Sequence, residues 1–393
     1  MFPWKTREAK ASGAPFVALS QLGSARWTRD KRALAREGML NNAIGYRCVR
    51  LIAEAAAGVR WQLDAPTPSG EKALTLLDNP NPEQSGIELM EAFYGHLQTS
   101  GNAYLHGVML DDGAERELPR QIYALRPDRI SPIVGTHGWP MGWNYKVETQ
   151  QSRHVKRFMR AADGWSPVLH FKLFHPLDDY EGLSPLEAAG KAVDVHNAGA
   201  AWAKALIDNS ARPSGALIYG KGGDRLTTEQ FTRLKSELED LHTGVSNAGR
   251  PLLLEGGLEW KPMSLTPADM DFIAARHDAA REIALAFGVP PMMLGIPGDN
   301  TYSNYKEANM AFWRLTVLPL VEKAGRSLSS WLSVRAQEGV SLRPDLESVS
   351  ALSGERDALW ARLENASFLD DEEKRAIAGL PPRELDSNKE GGA

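Results

Sequence analysis

The sequence is 393 residues long, 42% hydrophobic and 24% charged, with a formal net charge of −5. That length exceeds what one core serves, so several domains are expected, and the ordinary composition excludes wholesale disorder. Mild acidity argues against a protein that simply coats nucleic acid, and the single cysteine, Cys48, excludes an internal disulfide or a thiolate metal cluster.

The first ten residues are charged and lack the apolar stretch of a secretion signal. No run of about 18 apolar residues occurs, so no membrane span is expected. Residues 1–40 lack periodicity and read as an arm. Met1 to Arg36 sets eight Lys/Arg against Glu8 and Asp30, whereas from Asp345 onward twelve acids face six bases. These ends are either solvated or serve different partners.

Asn42 to Ala57 predicts a helix, with Ile44, Cys48, Leu51, Ile52 and Ala55 on one face and Gly58 to close it. Val59 to Leu63 reads as a strand. After the turn Asn79-Pro-Asn-Pro82, Ser85 and Glu88 form a capping box for a helix that stops at Gly101. Strand-like runs follow at Ala103 to Leu110, Gln121 to Leu125, Trp143 to Thr149 and Val168 to Phe174. The texture to this point is α+β.

Beyond Leu183 long helices dominate. Ser184-Pro-Leu-Glu187 is a start signal, and the helix it opens runs to about Asn209, roughly 37 Å. Its many alanines and glycines suit either a barrel of neighbouring helices or an ordinary buried helix. Pro213 to Tyr219 reads as a strand, Thr227-Thr-Glu-Gln230 caps a helix ending near Gly244, and Pro251 to Met263 has a hairpin pattern around Gly256-Gly257. A second long helix spans Thr266 to Phe287 and stops at Gly288-Val-Pro-Pro291. A polar loop, Gly298 to Asn304, precedes a helix from about Asn304 to Arg335 that Pro319 should kink. Two short amphipathic helices, about Asp345 to Asn365 and Asp370 to Gly379, end the pattern.

Chemistry is sparse. Gly215 to Gly222 matches the phosphate-loop spacing at both glycines and Lys221, but it lacks the Ser/Thr for magnesium and its middle is apolar and strand-like. His170, His175, Asp178 and Asp179 fit no common metal template. Gly244-Val-Ser246 lacks the second glycine of a nucleophile elbow. No catalytic constellation, metal site or cofactor is expected. A nucleotide-dependent enzyme and a channel-less scaffold are the rival readings.

The order of motifs carries a resemblance. Tyr46 to Ala55, Asn79-Pro-Asn-Pro82, Gly101-Asn-Ala-Tyr104, Leu125-Arg-Pro-Asp-Arg-Ile130, Gly182-Leu-Ser-Pro-Leu186 and Arg212-Pro-Ser-Gly215 resemble, in sequence, the portal family named after phage Hong Kong ninety-seven. So do Phe287-Gly-Val-Pro-Pro-Met-Met-Leu-Gly295, Thr301-Tyr-Ser-Asn304, Leu318-Pro-Leu320 and Gly379-Leu-Pro-Pro382. The resemblance implies a multi-domain α+β portal fold: arm 1–40, wing 41–183, stem helix 184–210, clip 211–265, stem helix 266–288, tunnel loop 289–303, long kinked helix 304–341 and crown 342–393. It also implies a non-enzymatic ring, usually of twelve subunits, at one capsid vertex of a virion assembled in the host cytoplasm. Its partners would be double-stranded DNA touched without sequence preference, the large terminase, a head–tail adaptor and the major capsid protein. The residues expected to face DNA are Asp299, Asn300, Thr301, Tyr302, Ser303, Asn304 and Lys306. A clip face of Glu229, Arg233, Lys235, Glu237, Glu239 and Asp240 is either a docking surface or merely solvated. Ring packing along the stem is expected at Ala189, Val193, Ala200, Ala203 and Ile207.

Overall fold

The computed structural model describes residues 30–109, 117–148, 153–208, 215–219, 227–229, 232, 233, 236, 258–262, 272–297 and 302–378. Residues 1–29 of the expected arm lie outside these. Residues 30–40 are not arm-like. Lys31–Ala35 forms α1, capped by the Asp30 side chain, and runs into a π-helical turn, Arg36–Leu40. Leu34 is buried, Lys31 pairs with Glu181 at 2.7 Å and Arg32 with Asp128 at 2.8 Å. Short elements like these show little period of their own, so tertiary contacts decide them.

Helix α2, Ala43–Ala57, starts where Asn42 Oδ1 accepts the Gly45 amide at 2.9 Å. Strand β1, Trp61–Leu63, follows, then α3, Pro68–Asp78, an element beyond those expected, which Thr67 caps and Pro68 opens. Helix α4, Gly86–Ser100, carries the expected capping box: Glu88 accepts from the Ser85 amide at 2.7 Å. It ends at Gly101 in the left-handed region, φ 71°. Gly101 and Gly182 cross so closely that a Cβ on either would meet the other's carbonyl oxygen, and the Leu173 amide donates to the Gly101 carbonyl at 2.9 Å. The end of α4 is thereby stitched to the chain that enters the next long helices.

The strands form two three-stranded antiparallel sheets. In one, β2 (Asn102–Val108) lies between β3 (Gln121–Leu125) and β7 (Val168–Lys172). In the other, β5 (Pro140–Glu148) lies between β4 (Ile130–Val134) and β6 (Arg153–Met159). A small aromatic core of Tyr104, Leu125, Ile130, Trp143, Phe158 and Val168 joins the sheets. Tyr104 meets Trp143 edge-on at 5.2 Å and stacks on His170 at 4.5 Å, both favourable ring geometries.

The helix predicted as continuous after Ser184 is two pieces. Helix α5, Pro185–Ala188, breaks at Ala189, and α6, Gly190–Asp208, continues. Strands β8 (Gly215–Tyr219) and β9 (Leu258–Pro262) pair antiparallel. The hairpin partner expected for β9, residues 251–255, lies outside the described residues. Helix α7, Phe272–Phe287, ends at Gly288, φ 66°. A 3-10 turn, Pro291–Leu294, leads to α8, Tyr302–Phe312.

The expected proline kink takes another form. A π-helical turn, Trp313–Val317, joins α8 to α9, Leu318–Ser333, with Pro319 in the first turn of α9. There the missing amide leaves an ordinary helical bond unmade at low cost, and the wider turn absorbs the irregularity. Strand β10, Leu342–Pro344, returns to pair with β1, before α10 (Ser353–Asn365) and α11 (Asp371–Ile377) begin. The main core gathers α2, α4, α7 and α9 through Ile52, Phe93, Leu97, Ile283, Val321, Leu328 and Leu332, all essentially inaccessible to water.

Candidate DNA channel and docking surfaces

The junction between α7 and α8 is built from both sides. Gly288 adopts its left-handed conformation directly against Thr316, whose hydroxyl donates to the Gly288 carbonyl at 2.7 Å. A methyl at residue 288 would lie 2.7 Å from Thr316 Oγ1, so sterics as well as φ demand glycine. Val289 and Ile296 are buried on either side of the 3-10 turn. Arg281 on α7 pairs with Asp278 at 3.0 Å and donates to the Pro297 carbonyl at 2.8 Å. The segment 289–297, expected as part of a loop, is therefore folded down onto α7.

Of the residues expected in the tunnel loop, Asp299, Asn300 and Thr301 lie outside the described residues. Tyr302 and Ser303 correct the expectation: with Asn304, where the long helix was expected to begin, they form the first turn of α8 rather than loop. Helix propensity is weak in this polar run, but the helix behind it extends forward. Asn304 and Lys306 are exposed, and Lys306 Nζ lies beside Gly354 at the start of α10.

The residues expected to pack along a stem divide. Ala189 and Val193 are buried among the chain's own core residues, together with Ala192, Ala279 and Ile283, and so cannot touch a neighbouring copy. They are a correction to the ring-packing expectation: the sequence stripe there is the face that α6 turns to α7. Ala200 and Ala203 are half-buried, and Ile207 lies in α6. Gly199 lets the two helices approach, since a Cβ there would stand 2.9 Å from Arg276 Cγ. Near the middle of α6, Asn42 joins it to α2 through bonds to Asn197 Oδ1 at 2.9 Å and His196 Nδ1 at 3.2 Å.

Of the residues expected on a clip docking face, Glu229 and Arg233 are exposed on helical residues. Lys235, Glu237, Glu239 and Asp240 lie outside the described residues. The near-match to a phosphate loop begins on β8, whose residues Gly215–Tyr219 are extended and paired with β9 rather than looped, while Gly220, Lys221 and Gly222 lie outside the described residues. His170 is no metal ligand in this setting. Its ring stacks on Tyr104, and its Nε2 donates to Asn102 Oδ1 at 2.9 Å. Burial, then nearby Lys172 and Lys31, push its pKa down to about 3. Among the described residues, no three metal-ligating side chains gather at one place.

One feature had no signal in the sequence beyond its tryptophans. A groove of 1090 Å³ runs between β5, β7 and α9, walled by Trp139, Trp143, Trp165 and Trp331, with Arg160 and Arg326 at its sides. Trp165 and Trp331 stack at 5.9 Å, and Trp331 Nε1 donates to the Ser166 carbonyl at 2.7 Å.

Two antiparallel sheets, long helices bracketing a small strand pair, and a π-jointed helix after a glycine stop define the α+β fold of a portal subunit. The chain belongs to the phage portal protein family, whose model matches residues 43–379. It is 40% identical to an uncharacterized protein of Rickettsia felis over 96% of both chains. It is 24% identical to the portal protein of Enterobacteria phage HK97, covering 75% of this chain and 68% of that one. Among solved structures it resembles a chain in the neck of a native gene transfer agent particle computed with C12 symmetry. That likeness has a TM-score of 0.68 and 50% identity, over 90% of this chain and 94% of the other.

Proposed function

We propose that this chain is the subunit of a closed ring, of twelve copies, at one capsid vertex of a virion, through which double-stranded DNA is packaged and released. The observation that carries this reading is the half-identity, over nine-tenths of the chain, to a chain in a gene transfer agent neck computed with C12 symmetry. The particle type it favours is a phage-derived gene transfer particle. Residues 298–301 and the first turn of α8 would line the channel and touch phosphates rather than base edges. Residues 211–265 would dock the large terminase during packaging and a head–tail adaptor afterwards, while the outer wing meets the major capsid protein. ATP hydrolysis would fall to the terminase, in a particle assembled in the host cytoplasm.

The mild net acidity of −5 supports a passage over a clamp, because many phosphate contacts would hold DNA tightly and stop it sliding. Negative-stain images of the purified chain test the reading. Closed rings with a central hole are expected. Monomers alone at high concentration would count decisively against it.

A further inference from the structure

The outward faces of the two stem helices are complementary to each other. Along α6, residues 190–204, every exposed side chain is Lys191, Val195, Ala198, Ala201 or Lys204, a single stripe at helical spacing with no acid in it. Along α7, residues 274–287, every exposed side chain is Ala274, Ala275, Asp278, Glu282 or Leu285, with no base. Arg281, half-exposed, is already engaged with Asp278 and the Pro297 carbonyl. Val195 is 51% exposed and Leu285 79% exposed, apolar surface that neither helix covers within the chain. Among the described residues, neither Lys191 nor Glu282 makes an ion pair.

A ring closes only through a head-to-tail interface, in which two different faces of one subunit fit each other on successive copies. These two faces meet that requirement in charge and in size. They also meet it in height. The Gly199–Arg276 contact sets the level of the antiparallel α6 and α7 within one subunit. Eight residues back from Gly199 is Lys191, and eight on from Arg276 is Ala284, between Glu282 and Leu285. Rotation about an axis along the stem keeps each residue at its own height. A neighbour's α7 then presents Glu282 at the level of Lys191, and Ala274 and Ala275 at the level of Ala198 and Ala201, where small side chains permit close approach.

We infer that the ring closes through the stem, the Lys191–Lys204 face of α6 in one copy seated on the Ala274–Leu285 face of α7 in the next, with Lys191 paired to Glu282. This rests on the ring reading above and names the surface that builds it. The occupant is a second copy of this chain, and the pair is formed between copies rather than within one.

The test uses the full chain with Lys191→Glu, with Glu282→Lys, and an equimolar mixture of the two variants, all read by particle mass and negative stain. Both sites are exposed, so circular dichroism and melting temperature should match those of the unmodified chain. Each variant alone places like charges across every interface. The concentration for half-assembly should rise by about tenfold or more, since like-charge juxtaposition is strongly unfavourable. In the mixture, alternating copies restore an opposite-sign pair at every interface, and assembly should return to within about twofold of the unmodified chain. Variants that assemble normally on their own overturn the inference. A mixture that assembles no better than its components overturns it too. Absence of rings from the unmodified chain instead overturns the ring reading, and this inference falls with it.

Discussion

His170 shows how a single buried ring binds stability to pH. Its stacking on Tyr104 and its bond to Asn102 hold it neutral, with burial, then Lys172 and Lys31, pushing its pKa down to about 3. An unfolded chain would bind that proton near pH 6.5. Between these values the unfolded state holds a proton that the folded state refuses, so stability is lost as pH falls, at up to about 1.4 kcal/mol per pH unit. His96 acts in the same direction, burial and then Arg126 driving it to about 4. Melting temperature should therefore drop between pH 7 and pH 5, and His170→Gln should flatten that drop while lowering stability at pH 7. An unchanged slope in the variant would refute the assignment. Gly288 makes a second residue-scale case. Replacement by alanine forces a side chain into the left-handed region and against Thr316, at a cost of about 1–3 kcal/mol, readable as a lower melting temperature. The stop at Gly288 is visible in the sequence, but Thr316 as its partner, 28 residues away, is not.

At the scale of elements, local signals were legible wherever the chain's neighbours in sequence decide the structure. Asn42, Ser85 with Glu88, and Ser184 with Pro185 each mark a helix start that the structure places at the same residue. What escaped is what distant contacts decide. The break at Ala189 sits beside Gly190 in a run otherwise rich in helix formers, and one glycine does not by itself announce a break. The π-helical turn Arg36–Leu40 is likewise invisible locally, whereas Pro319 marks the irregularity that the turn Trp313–Val317 absorbs. Strand β6, Arg153–Met159, alternates poorly because it is an exposed edge strand rich in charge. The first turn of α8 is hidden because Tyr302 and Ser303 belong to a polar run that suggests a loop. Asn42 also shows that a cap can do more than its sequence signature says, since it is buried and bonded to His196 and Asn197 of α6. Asn42→Ala should cost about 2 kcal/mol, the loss of a cap plus unsatisfied partners, where an exposed cap such as Ser85→Ala should cost about 1. Chemical denaturation of the two variants compares them directly. Equal losses would show that the link from α2 to the stem contributes nothing.

The whole molecule was recognisable from the order of its motifs, yet the surfaces that make it an assembly were not. Charge and exposure along α6 and α7 become meaningful only once the buried face of each is known, and the sequence stripe of small residues pointed to that buried face instead. The segment proposed to line the channel can be tested more narrowly than the sequence allows. Ile296 is buried, Arg281 holds the Pro297 carbonyl, and α8 begins at Tyr302. Both flanks are thus anchored by groups outside residues 298–301, and a substitution confined to those four leaves the anchors intact. Replacing 298–301 by Gly-Ser-Gly-Ser removes Asp299, the one charge in the segment, along with Asn300 and Thr301. If these residues line the passage, rings should form as before, because no stem or core contact changes. Particles assembled with the variant should contain less DNA, because the side chains that touch sliding phosphates and Asp299, which keeps that touch weak, are gone together. The loss should be the same for any packaged sequence, since phosphate contact carries no base information. Ring counts by microscopy and DNA per particle by quantitative amplification separate assembly from passage. Normal DNA content in otherwise normal particles would remove residues 298–301 from the channel.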